Sequence, residues 1–129
     1  MNTAYRVWDG EQMHYWDDEG LVLTIKNNGD WALKRLHTDV LIPVVDSTNR
    51  KADLMWGTGL EDKNEKMIYD KDSILDHDTD TRFVVKYDNK QAGFYLDIGI
   101  GKGSGAFMVG DLEVIGDVYQ NPELLEGAE

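Results

Sequence analysis

The chain contains no cysteine, two prolines, and only 13 lysines and arginines against 25 aspartates and glutamates. The first absence removes disulfide scaffolds, cysteine-based zinc sites, thiol nucleophiles and iron–sulfur clusters together. No apolar run approaches the roughly 18 residues that a membrane-spanning helix needs, so no membrane association is expected. The opening segment, MNTAYRVWDGEQ, has no basic stretch followed by an apolar one. It therefore predicts no secretory signal and a cytoplasmic location. The shortage of cations gives 13 − 25 = −12. Such a chain is repelled by phosphate backbones unless its cations cluster, and here they are scattered. Direct nucleic-acid binding is not expected.

What is present is a β pattern. Of 129 residues, 41% are hydrophobic, and four tryptophans, six tyrosines and three phenylalanines can fill a core. A chain of this length buries roughly 70% of the surface it would expose unfolded, so neither metal nor disulfide is needed to hold it. Period-two stretches alternate with turn residues, and helical periodicity is nearly absent. Ala4 to Trp8 and Met13 to Trp16 read as strands about Asp9-Gly10, a pair that type I′ turns favour. Leu21 to Lys26 and Trp31 to Leu36 follow, separated by Asn27-Asn28-Gly29-Asp30. The run Val40 to Val45 reads as extended, with Pro43 placing it at an edge or a bulge. The polar break Asp46 to Lys51 marks the best internal boundary. Beyond it lie Leu54-Met55-Trp56, Met67-Ile68-Tyr69, Ile74-Leu75, a hairpin of Arg82 to Tyr87 with Phe94 to Ile100, and Leu112 to Tyr119. Only the end looks helical, where Asn121 can cap a turn that Pro122 opens.

The chemical motifs are weak. Asp76, Asp78 and Asp80 alternate like the first ligands of a calcium loop, but Thr81 and Tyr87 stand where that loop needs Gly and Glu. No metal is expected there. His14, His37 and His77 have no ligand spacing and read as surface residues. Gly101 to Ala106 superficially matches a phosphate-cradling G-x-G-x-x-A, yet the next residues read as strand and turn, not as the helix whose N-terminus such a site needs. Ser47, Ser73 and Ser104 lie outside any nucleophile elbow. The sequence thus calls for no cofactor and supplies no catalytic residue.

Three segments carry a family resemblance. Met55-Trp56-Gly57-Thr58-Gly59-Leu60-Glu61-Asp62-Lys63-Asn64-Glu65-Lys66-Met67-Ile68-Tyr69-Asp70-Lys71-Asp72 is similar to the central motif of the YopX-like proteins of bacteriophages and prophages. Arg6-Val7-Trp8-Asp9, with Met13 and Tyr15, resembles that family's N-terminal segment. Val114-Ile115-Gly116-Asp117-Val118-Tyr119-Gln120-Asn121-Pro122-Glu123-Leu124-Leu125 resembles its closing one. The three occur in the family's order and span the chain. Glu65 and Lys71 depart from the pattern, each replacing a turn glycine, so both turns are expected to change conformation. The resemblance implies N-terminal antiparallel strands over residues 1–50 and an SH3-like β-barrel with one short C-terminal helical turn over residues 51–129. It places the protein in a bacterial host and implies no activity.

The reading that follows is a mainly β accessory protein that binds another protein without catalysis. Trp16, Trp31 and Trp56 are candidates for an aromatic contact, although large aromatics also fill small cores. An alternative is an acidic mimic of DNA that occupies a DNA-binding protein. Residues 1–64 carry 7 − 11 = −4 and residues 65–129 carry 6 − 14 = −8, so Asp76, Asp78 and Asp80 lie in the more acidic half. A second alternative is a small-molecule or nucleotide enzyme without a recognisable motif. The uninterrupted apolar run also predicts self-association through Leu41, Ile42, Val44 or Val45, since both of its faces call for burial.

Overall fold

The computed structural model describes residues 4–78, 80–88, 93–97 and 111–122, and every regular element among them is a strand. The protein is mainly β. The chain divides into two compact units, one of Thr3–Trp56 and one of Met1–Asn2 with Gly57–Glu129.

The first unit contains β1 (Tyr5–Trp8), β2 (Met13–Tyr15), β3 (Leu21–Ile25), β4 (Trp31–His37), β5 (Val40–Asp46) and the start of β6 (Asp53–Glu61). β1 lies between β2 and β6, antiparallel to both. β3, β4 and β5 form a separate antiparallel meander in that order. Pro43 sits on its end strand, beside the residue that breaks the register opposite Leu33 and Lys34. Both features fit a residue without an N–H to give. Ala4, Val7, Leu33 and Met55 are the buried apolar side chains of this unit.

The first turn corrects an expectation. At Asp9-Gly10 only Gly10 has a positive φ, 107°, and a type I′ turn needs both residues there. The Asp9 carboxylate instead accepts the N–H groups of Glu11 and Gln12, each at 2.7 Å. The two-residue turn with both φ angles positive lies elsewhere, at Thr38 (47°) and Asp39 (65°) between β4 and β5.

The second unit contains the remainder of β6, then β7 (Met67–Tyr69), β8 (Asp72–Asp76), β9 (Thr81–Asp88), β10 (Gly93–Asp97) and β11 (Leu112–Asp117). β6 pairs with β7, and the other strands form an antiparallel sheet in the order β10-β9-β8-β11. Its core is Ile68, Ile74, Val85, Leu96 and Leu112, with Phe83, Phe94 and Val114 packed against them. β6 runs through the glycines of the Gly57-Thr58-Gly59 segment; Gly59 has φ 87°, and the ladder slips register between Gly57 and Glu61. The helical turn expected from Asn121 falls mostly on residues 123–129, and the glycine-dense stretch on 98–110, both outside the described residues. Asn121 itself folds back. Its N–H donates to the Asp117 carbonyl at 2.9 Å, and its side-chain oxygen accepts from the Asp117 N–H at 3.3 Å. A Cβ on Gly116 would stand 2.5 Å from that oxygen, so only glycine fits beneath it.

Asp62 ties the β6–β7 turn to β11. One carboxylate oxygen accepts the N–H groups of Asn64 (2.8 Å) and Lys66 (2.9 Å), and the other accepts that of Val114 (2.9 Å). The Lys63 N–H donates to the Leu112 carbonyl at 2.9 Å, reinforcing the same junction. Burial alone would raise the Asp62 pKa, but the three N–H donors and the charge of Lys66 outweigh it and hold the group below its ordinary 3.8. A carboxyl depressed on folding stabilises the folded state above its unfolded pKa, and this contribution disappears as pH falls through the folded value. Asp62→Asn keeps one acceptor oxygen but turns an NH2 donor toward the N–H groups that the other oxygen accepted. It is expected to cost about 1–3 kcal/mol at neutral pH. Urea unfolding of both proteins should show midpoints that separate above pH 5 and converge below about pH 3.

Glu65 (φ 64°) and Lys71 (φ 68°) hold the left-handed conformation that glycine favours. Their turns therefore do not change shape to suit the larger residue; the residue bears the strain. The backbone gives it no choice: the Glu65 N–H donates to the Asp62 carbonyl at 3.0 Å, and the Lys71 N–H to the Val85 carbonyl at 2.8 Å. A left-handed L-residue costs roughly 1–2 kcal/mol, of which glycine's greater freedom when unfolded returns about 0.4–1. Glu65→Gly is thus expected to stabilise by about 0.5–1 kcal/mol. Lys71→Gly should gain less, because Lys71 Nζ stands 6.0 Å from the centre of the Tyr119 ring. Thermal melts of the two variants check the order.

Candidate functional site

β1 is an inner strand, paired on both sides, and the register around it brings distant aromatics into one row. Tyr5 is paired with Trp56 of β6. On the other side Arg6 is paired with Tyr15, and one step further the Trp16 N–H donates to the Tyr5 carbonyl at 2.9 Å. Residues directly opposite in an antiparallel ladder project from the same face. Trp16, one residue past the end of β2, therefore stands beside Tyr5, with Trp56 on the other side. The Tyr5 and Trp56 rings meet edge to face, 6.2 Å apart at 69°. Trp16 remains 45% exposed and Trp56 40%. Burial, helped by the charge of Asp18, raises the Tyr5 pKa above 10.0, so its hydroxyl is neutral and can donate. Exposed Asp17 and Glu19 follow Trp16, giving the row an acidic rim.

The next row on that face is His14, Val7 and Leu54, and there the sheet is covered. Val7 is fully buried. His14 Nε2 lies 2.8 Å from the Asp9 carboxylate, and Arg35 Nη2 lies 3.5 Å from His14 Nδ1. A guanidinium can only donate, so Nδ1 accepts and Nε2 carries the proton that it gives to Asp9. Arg35 also donates to the Glu19 carbonyl at 2.8 Å, fastening β4 to the loop after Trp16. The Asp9 pKa is lowered: burial opposes ionisation, but the bonds donated by His14, Gln12 and Glu11 prevail. His14 is thus a mostly buried structural group, not the surface residue expected. His77 is exposed, as expected, and contacts Glu113 through Nε2 at 2.7 Å.

The other candidates lie apart from the row. Trp31 is half-buried on β4, where its N–H donates to the Ser47 hydroxyl at 3.1 Å. On β5, Leu41 and Ile42 are exposed, whereas Val44 and Val45 are half-buried. Asp76 ends β8 and its carboxylate accepts the Asp78 N–H at 2.9 Å. The Asp78 carboxylate accepts the Asp111 N–H at 3.4 Å. Asp80 has a left-handed φ of 54°. Among the described residues no three histidine, aspartate or glutamate side chains gather closely enough to hold a metal, and no helix is long and apolar enough to cross a membrane. Sequence reasoning missed Tyr5, the centre of the row. Its position depends on a pairing with Trp56 that no local signal reveals.

Known proteins share this architecture along the whole chain. A relative from Bacillus subtilis (strain 168), the "SPbeta prophage-derived uncharacterized protein YopX", is 56% identical over 137 aligned positions that cover all of both chains. The crystal structure of protein yopX from Bacillus subtilis matches 97% of this chain and 99% of its own, with a TM-score of 0.74 and 55% identity. Protein EF1440 from Enterococcus faecalis, at 18% identity and a TM-score of 0.57 over 95% of this chain and 96% of its own, shares the fold. The family model described as YopX protein matches residues 4–126. The chain belongs to the YopX protein family.

Proposed function

We propose that this chain is a non-enzymatic module that binds another protein in the cytoplasm of a bacterial host, and that the Trp16–Tyr5–Trp56 row is the contact. The observation that carries this reading is that two tryptophans stay substantially exposed on either side of a tyrosine, on the best-braced strand of the unit. Tryptophan and tyrosine dominate the energetics of protein interfaces because each removes a large, rigid apolar area from water and keeps one polar group to orient it. Asp17 and Glu19 beside the row favour a partner with an apolar centre and a basic margin. An apolar centre makes binding resistant to salt, whereas contact through the acidic residues alone is screened within about 8–10 Å at physiological ionic strength.

The test is capture from a host lysate by immobilised wild-type protein and by a Trp16→Ser/Trp56→Ser variant whose circular dichroism matches wild type. The expected result is a specific protein retained by wild type in high salt and lost by the variant, with affinity reduced about 30-fold or more per anchoring tryptophan. Retention that ignores both substitutions would overturn the assignment of the row. Capture of a DNA-binding protein that elutes at moderate salt would favour the acidic-mimic alternative instead.

A further inference from the structure

We propose that the outer edge of β5 docks a second copy of this chain, strand β5 against strand β5 of the partner, so that two three-stranded meanders join into one antiparallel sheet. This surface is separate from the aromatic row.

The backbone supplies the first argument. The Leu36 N–H donates to the Gly20 carbonyl at 2.7 Å, on the β3 side of β4. N–H and C=O of one strand residue point the same way, so Leu36 does not bond to β5, and Leu41 opposite it forms a non-hydrogen-bonded pair. Leu41 therefore turns its own N–H and C=O away from β4, toward an edge that no strand pairs with among the described residues. Two residues on, the strand holds Pro43, which has no N–H to offer, and Val44 bulges from the ladder. The edge is thus open at Leu41 and blunted beyond it. A twofold pairing centred on Leu41 places Leu41 opposite its own counterpart and Val40 opposite Ile42 of the partner. A closed, self-complementary contact of this kind is the usual geometry of a homodimer.

The side chains supply the second. Ten large apolar residues are exposed among those described, and six of them, Val22, Ile25, Leu36, Val40, Leu41 and Ile42, belong to this meander. Val40 is 59% exposed, Leu41 47% and Ile42 46%. Alternation puts Leu41 with Leu36 on one face and Val40 with Ile42 on the other. A strand paired along the edge sets its own side chains beside those on both faces as cross-strand neighbours, which a partner packed on one face would not do. Edge strands are ordinarily protected by charged side chains, and β5 carries none from Val40 to Val45.

Charge identifies the occupant. Two copies of a −12 chain repel one another, so they can meet only where the local charge is small. From Leu21 to Asp46 the charges are Lys26, Lys34 and Arg35 against Asp30, Asp39 and Asp46, that is 3 − 3 = 0. The meander is neutral within a strongly acidic chain, and it carries most of the exposed apolar side chains. A basic partner would gain nothing from this surface; a second copy meets least repulsion there.

Sedimentation velocity of the full chain from micromolar to millimolar concentration, at low and at physiological salt, tests the proposal. The expected result is a concentration-dependent dimer that tightens as salt rises, because screening weakens the repulsion of two like-charged copies. Val40→Lys should raise the dissociation constant at least tenfold, and Trp16→Ser/Trp56→Ser should leave it unchanged. Exchange of the Leu41 amide hydrogen, read on the unaltered protein, should slow as concentration rises. A monomer at every concentration and salt, a dimer indifferent to Val40→Lys, or Leu41 exchange independent of concentration would each overturn it. Loss of dimer in the tryptophan variant alone would assign self-association to the aromatic row and overturn the role of β5.

Discussion

An aspartate carboxylate accepting backbone N–H groups is the interaction on which the connections of this chain depend. Strands joined by short turns leave N–H groups that no ladder satisfies, and a buried one costs as much as a lost hydrogen bond. Asp9, Asp18, Asp46, Asp62, Asp72, Asp76 and Asp117 each take at least one such group. Asp72 is almost wholly buried and accepts the Tyr69 N–H at 2.7 Å. Asp117, also buried, accepts those of Tyr119 and Gln120. Charged acceptors make shorter and stronger bonds than neutral ones, which suits turns that must fix the register of the strands on either side. Part of the chain's acidity is therefore turn chemistry. Those carboxylates are engaged with backbone and contribute less to an acidic field presented to a partner than their number suggests.

The same turns show where sequence reading succeeds and where it stops. Lys26–Asp30 and Asp62–Lys66 close in the same way. In each, the first residue exchanges bonds with the fourth and fifth, and the fourth is left-handed: Gly29 at φ 92° in one, Glu65 at 64° in the other. Asn28-Gly29 announces its turn because glycine is the residue that this conformation favours. Glu65 announces nothing, and its geometry follows from the Asp62 carboxylate and the ladder on both sides. Thr38-Asp39 is harder still, since a β-branched residue at positive φ is an outlier. The tight connection between β4 and β5 is set by the His37–Val40 pairing, a consequence of the sheet and not of the two residues inside the turn. Strand existence was legible from alternation, and the edge position of Val40 to Val45 from one proline. Turn type was legible only where glycine stood in the required place.

For the candidate site, residue type was readable and arrangement was not. Trp16 and Trp56 are separated by 40 positions, and a tryptophan alone reads equally well as core. They become a single surface only because Tyr5 pairs with both of their strands. Trp31, equally prominent in the sequence, lies in the other sheet, with its backbone bonded to Ser47. His14 shows the converse error. Without metal-ligand spacing it looked superficial, yet a contact 21 residues away with Arg35 helps to enclose it.

These features divide the first unit into a braced part and an open part. Around β1 the sheet is satisfied on both edges, and Arg35 fastens the meander beside it through His14 and Glu19. The meander has one fully buried apolar side chain, Leu33, and among the described residues no strand pairs with its outer edge. A sheet of three strands with so little buried surface gains little from its own packing. Arg35 fastens it near the strained Thr38-Asp39 turn, the end that also carries exposed Leu36, Val40 and Leu41. The charge follows the same division: carboxylates are drawn into turns across the chain, while the strands of the meander carry Lys34 and Arg35 and few acids. Neutrality, an open edge and exposed aliphatic side chains thus coincide on the segment whose own fold supplies least stability, which is where burial by another chain would contribute most.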